Sequence, residues 1–348
     1  MKYGMAYKGS KNKLAGKIFE LFPRKKNFYD LFCGGCAMTH YGLLHGGFEN
    51  YFMNDINPAC TELFMDAVHG KFKDEKRWIS REDFEKLKDV EPYVAFCWSF
   101  GYNLRDYLYS KEIEAYKKAC HFAIVFDDFS LIKELCPEVY DVTKEALNGI
   151  KNIKERRIAF GLSVVKGLKR LGDWDLVLNN PLYKLVCLRG GKLASASKNN
   201  DIQSLESLRS PEYMRSLERL ESLERLESLE RLQRLQSFNK SYDEIEIKKD
   251  SVIYCDIPYE DTDVYTQDKK QDFDFEKFYS WCEKQTEPLF ISSYKMPADR
   301  FVCVAMFKHR CTFSATENIE VTEKVFIPKH QEKEYHLPGS LFNFDEMM

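Results

Sequence analysis

The chain is 348 residues long, enough for one large α/β domain or two ordinary ones at roughly 150 residues per domain. With 44% hydrophobic and 31% charged residues, its composition is that of a soluble globular protein, and its longest apolar runs, at 93–98 and 121–126, fall far short of the ~20 residues that cross a bilayer. Lys and Arg number 52 against 55 Asp and Glu, so the net charge of -3 offers no general footprint for nucleic acid, and any such surface must be local.

The N-terminus, MKYGMAYKGSKNK, lacks the apolar stretch of a signal peptide, so a cytoplasmic protein is expected. Gly9 and Gly16-Lys17 do not make a phosphate loop: they are seven apart where five is needed, and Ile18 stands where Ser or Thr should be. A strand is predicted at 27–31, ending in Asp30-Leu31-Phe32-Cys33-Gly34-Gly35-Cys36, and a helix at 38–44. Glycine at such a strand-to-helix turn lets backbone approach a ligand. A second strand, 50–53, ends in Asn54-Asp55-Ile56-Asn57-Pro58, with a helix at 61–69. Asp55 follows Gly34 by 21 residues, the spacing at which an acid accepts hydrogen bonds from ribose hydroxyls; the alternative is a cap of the following helix.

From 71 to 200 the pattern is helical and rich in Lys and Glu, which predicts an inserted helical domain. It contains Trp98-Ser-Phe-Gly-Tyr-Asn-Leu-Arg-Asp-Tyr-Leu-Tyr109, where Asn103 and Arg105 lie among aromatic rings. It also holds two acid-poor stretches, one with Lys166, Lys169 and Arg170, the other with Arg189 and Lys192 around Gly190-Gly191. From 201 to 238 a repeat places Leu at 217, 220, 223, 226, 229, 232 and 235. A period of three slips 60° per step around an α-helix, so no coiled-coil seam forms; helix and stacked turns both remain open. The segment reads as an expandable insertion that tolerates loss of one six-residue unit.

The strand 252–255 delivers Asp256-Ile257-Pro258-Tyr259 to its tip. An aromatic amino nitrogen is a poor nucleophile because its lone pair is delocalised into the ring. Asp256 and the Ile257 carbonyl can accept its hydrogens, Pro258 holds that carbonyl extended, and Tyr259 can stack on a base. A helix at 275–284 and strands at 288–292, 301–307 and 324–327 complete a β-α alternation at both ends of the chain. The fold class is therefore α/β, a doubly wound, mainly parallel sheet with an inserted helical domain. Eleven scattered cysteines predict reduced thiols, and Cys33-x-x-Cys36 finds no second half for a zinc site, so no metal is expected.

With these motifs in this order, the sequence resembles the Dam-like DNA adenine-N6 methyltransferases, including phage-borne members. Tyr7 to Lys11 resembles the family's N-terminal cofactor segment, Asp30 to Cys36 its glycine loop, Asn54 to Pro58 its acidic turn, and Asp256 to Tyr259 its catalytic Asp-Pro-Pro-Tyr. Cys36 replaces the loop's last glycine, Ile257 the first proline, and Ser241-Tyr242 stands where many members have Asp before an aromatic. The resemblance implies a Rossmann-like S-adenosylmethionine-dependent methyltransferase that acts as a monomer on double-stranded DNA by base flipping, with no metal. Cofactor contacts then fall to Tyr7, Lys11, Asp30, Phe32, Gly34, Asp55, Tyr242 and Asp256. DNA contacts fall to Asn103, Arg105, Lys166, Lys169, Arg170, Arg189 and Lys192. The catalytic domain becomes 1–70 with 239–335, the target-recognition domain 71–200, the repeat 201–238, and 336–348 a tail. Cytosine N4 presents the same electronic problem and is the alternative acceptor; a DNA-recognition protein impaired in turnover is the alternative from another class.

Overall fold

The computed structural model describes residues 3–189, 192–193, 212–258, 273–312 and 318–333. Its main sheet has the order β5-β2-β1-β6-β7-β9-β8, formed by β1 (Asn27–Asp30), β2 (Asn50–Asn54), β5 (Leu235–Phe238), β6 (Ser251–Asp256), β7 (Leu289–Ser293), β8 (Phe301–Thr312) and β9 (Asn318–Pro328). Strands β5, β2, β1, β6 and β7 pair in parallel, and β9 runs antiparallel between β7 and β8. A separate two-stranded ribbon pairs β3 (Leu188–Arg189) with β4 (Lys192–Leu193).

β1 and β6 are buried along almost their whole length because each is flanked by strands on both edges and covered on both faces. Side chains alternate between two cores: Phe28, Tyr51, Met53 and Tyr254 enter one, while Tyr29, Phe52, Ile253 and Ile291 enter the other. From β1 the chain builds outward through β2 to β5, then returns to β6 and builds the other way. The switch point thus lies between β1 and β6, and the crevice beyond their carboxyl ends is the place for a ligand.

The helices are α1 (Ala15–Phe19), α2 (Ala37–His45), α3 (Pro58–Val68), α4 (Arg81–Leu87), α5 (Pro92–Cys97), α6 (Lys111–Phe126), α7 (Ser130–Leu135), α8 (Pro137–Leu147), α9 (Ile153–Lys169), α10 (Trp174–Asn179), α11 (Pro181–Cys187), α12 (Glu212–Leu223) and α13 (Phe275–Cys282). Helices α6 to α11 enclose their own core around Ala123, Phe160, Val164 and Leu182. The expected boundary at 71 is displaced: Phe72, Phe84, Phe96, Trp98 and Tyr109 pack into the core of the sheet, so the separate helical unit begins at α6. Among the described residues, no helix is long and apolar enough to cross a membrane.

The repeat is not a detachable insertion. Leu220, Leu223 and Leu226 are buried in the central core, and residues 235–238 are β5, an edge strand of the main sheet paired with β2. Helix α12 covers the first turns of the repeat, and 3-10 turns at 224–226 and 230–234 follow. These turns carry i→i+3 bonds from the Glu227, Leu229 and Leu232 amides. Leu229, in an extended conformation, separates these two turns, and Leu226 is buried while Leu229 and Leu232 are half-buried. The described part of the repeat is thus a helix followed by two short, separate 3-10 turns. Arg231 donates to the Leu43 and Leu44 carbonyls at the end of α2, fastening the repeat to that helix.

Candidate active site

The carboxyl ends of β1, β2 and β6 bring Asp30, Asp55 and Asp256 to one edge. Asn54 ties these tips together: its amide donates to the Leu31 and Lys240 carbonyls, at 3.0 and 3.1 Å, and its side-chain oxygen accepts from the Lys240 amide. Asp55 accepts from the Gly34 amide at 2.8 Å and from the Asn57 amide at 2.9 Å. The cap of α3 is Asn57, which accepts from the Ala59 amide, so Asp55 does not have the helix-cap role that was its alternative.

The glycine turn is shaped by Tyr7. A Cβ on Gly34, whose φ is +46°, would meet the Tyr7 ring at 2.8 Å, and one on Gly35 would meet the Tyr7 Cβ at 2.6 Å. Tyr7 is itself stacked on Phe96. Cys36, where the family has its last glycine, adopts φ 55°, the left-handed region that glycine takes without strain. Its thiol is buried 3.6 Å from the Cys33 sulfur, and burial pushes both thiols up.

Asp30 is buried beneath this turn. One carboxylate oxygen accepts from the Thr39 amide and hydroxyl; the other, Oδ1, has no partner among the described residues. Burial, opposed by the Thr39 bonds and assisted by the charges of Asp256 and Asp55, pushes its pKa up to about 7.

Lys11 joins the two ends of the chain. Its ammonium donates to both carboxylate oxygens of Asp256, at 2.7 and 2.8 Å, and to the Gly9 carbonyl at 3.3 Å. A second carboxylate, that of Glu323 on β9, lies 3.7 Å away. Burial disfavours the lysine charge, but Asp256 and Glu323 outweigh it and the pKa is raised. Beyond Asp256, Ile257 is buried and Pro258 exposed; Tyr259 lies outside the described residues.

Phe32 and Tyr242 stack at 5.5 Å and 29°, with Phe273 and Phe278 edge-on or tilted to them. Tyr242 is held by a capping box between Ser241 and Glu244 at the start of a 3-10 turn, and its ring is buried. Ile56, next to Asp55, is 64% exposed.

The expected DNA contacts fall on two packing units. Asn103 and Arg105 belong to the loop 99–107, closed by a bridge between Ser99 and Tyr107. Both are bonded to Asp106: the Asn103 amide at 2.7 Å and the Arg105 guanidinium at 2.9 Å. Reaching a base therefore means exchanging these bonds. Lys166 and Arg170 are exposed on and beside α9, and Lys169 is half-buried. Arg156, from the same basic run, is instead a buried clamp bonded to the carbonyls of Ala123, Ile124, Leu147 and Ile150. Arg189 and Lys192 pair across β3 and β4, and their side chains lie outside the described residues.

Glu323 and Ile56 are not among the expected site residues, and Phe100 is placed only within the aromatic block 98–109. Glu323 looks like a solvent-facing charge in an alternating strand, Ile56 like a spacer beside Asp55, and Phe100 like a core aromatic, although it is 60% exposed. Only the alternation of Glu323 with Val325 and Ile327 carried a signal, since a face shared with two core residues is an inward one.

A doubly wound sheet with one antiparallel strand near its edge, and acidic strand tips gathered at its switch point, defines a Rossmann-like methyltransferase fold. Residues 7–132 match the model of the D12 class N6 adenine-specific DNA methyltransferases. The match spans 126 of the 348 residues, and the family that it describes methylates adenine N6 in DNA, one of the two acceptors left open by chemistry. The matched span ends ahead of Asp256. No curated protein matches the chain.

Proposed function

We propose that the protein transfers a methyl group from S-adenosylmethionine to the N6 amino group of an adenine flipped out of double-stranded DNA, by direct displacement. The observation that carries this reading is Asp256, a carboxylate at the tip of β6 beside the switch point, followed by buried Ile257 and exposed Pro258. Asp256 and the Ile257 carbonyl accept the amino hydrogens and so localise the nitrogen lone pair. Tyr259 is proposed to stack on the flipped base.

The donor set at the neighbouring tips fits a cationic adenosyl cofactor. Asp30 has a carboxylate oxygen with no partner among the described residues and an elevated pKa, both of which an ammonium group relieves. Asp55 suits ribose hydroxyls, the Gly34 turn admits close backbone approach, and Phe32, Tyr242 and the exposed Ile56 offer apolar faces to the rest of the molecule. Tyr7 packs against the same turn, and Lys11 is bonded to Asp256. When bound, S-adenosylmethionine supplies an electrophilic methyl group on a sulfonium.

On the DNA side, Phe100 is proposed as the wedge that fills the gap left by the flipped base. It is exposed on a loop closed by the Ser99–Tyr107 bridge, with Gly101, Tyr102 and Leu104 at positive φ. Lys166, Lys169 and Arg170 are proposed phosphate contacts, with Arg189 and Lys192, and Asn103 and Arg105 base contacts. Helices α6 to α11 then form the target-recognition unit. The test is methyl incorporation from labelled S-adenosylmethionine into mixed-sequence duplex DNA, with sequencing of DNA from a methylation-free host expressing the chain. Label in N6-methyladenine at one recurring site is the expected result; label in cytosine, or none, removes the reading.

A further inference from the structure

Glu323 occupies a position where the alternation of β9 places core residues. Val325 and Ile327, on the same face, are 0% and 2% exposed, and Glu323 is 2% exposed. A carboxylate at such depth requires a cation or hydrogen-bond donors, because desolvation of an uncompensated charge is strongly unfavourable. Its cation is Lys11, itself 6% exposed, whose ammonium lies 3.7 Å from the Glu323 Oε2 and 2.7 Å from Asp256. One buried ammonium therefore stands between two carboxylates contributed by two different strands.

The two carboxylates are not equivalent. Asp256 is at the end of β6 and partly open to the crevice, whereas Glu323 is enclosed. While Lys11 spans both oxygens of Asp256, the negative charge that would draw out the amino hydrogens of a substrate is compensated by the lysine. Removing Lys11 from Asp256 with no second anion at hand would strand an ammonium in the interior. Glu323 prevents that. Its oxygen is only about 1 Å beyond the 2.7–2.9 Å of a charge-assisted hydrogen bond, a shift that the flexible lysine stem makes without backbone movement.

We propose that Glu323 is a positioning residue for methyl transfer: it receives the Lys11 ammonium as Asp256 turns to the target amino group. This rests on the reading of Asp256 as the acceptor for that group. Glu323 then keeps the lysine charged and in place through the reaction, and returns it to Asp256 when the product leaves.

The test is single-turnover and steady-state kinetics of Glu323→Gln, Glu323→Asp, Lys11→Gln and the Lys11→Gln/Glu323→Gln pair on duplex DNA. Glu323→Gln is expected to lower kcat about tenfold while KM for DNA and cofactor affinity stay within about twofold, since the contact matters after binding. Glu323→Asp should recover most of that loss. In the Lys11→Gln background, Glu323→Gln should cost nothing further, because its effect passes through the lysine. Wild-type turnover in a normally melting Glu323→Gln, or losses that multiply in the double variant, would overturn the proposal. Should Glu323→Gln fail to fold, Glu323→Asp decides: a reduction confined to kcat supports the role, and unchanged kcat removes it. An inactive Asp256→Asn beside an indifferent Glu323→Gln overturns this inference alone, whereas an active Asp256→Asn overturns the reading beneath it.

Discussion

The Gly34 amide donates to the Asp55 carboxylate at 2.8 Å, so the glycine turn after β1 is tied to the acidic tip of β2. The carboxylate proposed for the ribose hydroxyls also holds the loop proposed for the other end of the cofactor. Asp55→Ala should therefore weaken S-adenosylmethionine binding twice over, by loss of a charged acceptor worth ~1.5–3 kcal/mol and by release of the turn. Calorimetric titration measures it, and Asp55→Asn, which keeps one acceptor, should fall between. Wild-type affinity in Asp55→Ala would limit the residue to shaping the entry to α3.

Asp256→Ala should reduce turnover by more than ~100-fold, because the missing acceptor matters in the transition state more than in the bound complex. Cofactor titration should change little by comparison. Lys11 retains Glu323 in this variant, so the fold is expected to survive, and a thermal melt checks that alongside the rate.

The elevated pKa of Asp30 makes a prediction with a definite sign. An acid whose folded-state pKa is raised to about 7 holds a proton in the native state that the unfolded chain has already released. Stability therefore falls as pH rises from the ordinary aspartate range to about 7, and the full penalty is present above it. A cation bound at Asp30 reverses the shift, so S-adenosylmethionine binding near pH 6 should release up to one proton, and affinity should rise with pH through about 7. Calorimetry in buffers of different ionisation enthalpy reads this directly. Asp30→Asn should show no such release and should gain melting temperature over wild type more at pH 8 than at pH 5.

In the repeat, burial grades the leucines. Leu223→Ala and Leu226→Ala, at 0% and 1% exposed, should each cost ~2–5 kcal/mol in urea unfolding, and half-buried Leu229→Ala clearly less. Deleting 222–227 preserves the period, so Leu229 and Leu232 can take the places of Leu223 and Leu226, but the six residues lost shorten the connection from α12 and pull β5 out of register with β2. An insoluble or early-melting protein is expected; wild-type melting would restore the repeat to the status of an insertion.

Phe100→Ala should leave binding to intact duplex nearly unchanged but lower base flipping, read as the fluorescence of 2-aminopurine at the target position. Replacing Lys166 and Arg170 by Gln should flatten the salt dependence of DNA affinity and leave the methylated site the same, since phosphate contacts position without specifying. An unchanged salt slope would assign both residues to solvent.

The sequence by itself determined the class of the sheet and the residues at its strand tips, because an apolar run that ends in a glycine or an acid is a local signal. Asp30, Gly34, Asp55 and Asp256 could each be read from a few neighbours, and their order along the chain carried the resemblance to a family. The partners of those residues were decided only by tertiary structure. Lys11 meets Asp256 across 245 positions of sequence, and Glu323 looks like a surface charge until β9 is inserted between β7 and β8 with that face turned inward. The same holds for the leucine repeat, whose period of three fits no single helix. It becomes intelligible only when α12 gives way to 3-10 turns and then to β5, because packing against α3 and α5 selects which of its leucines are buried.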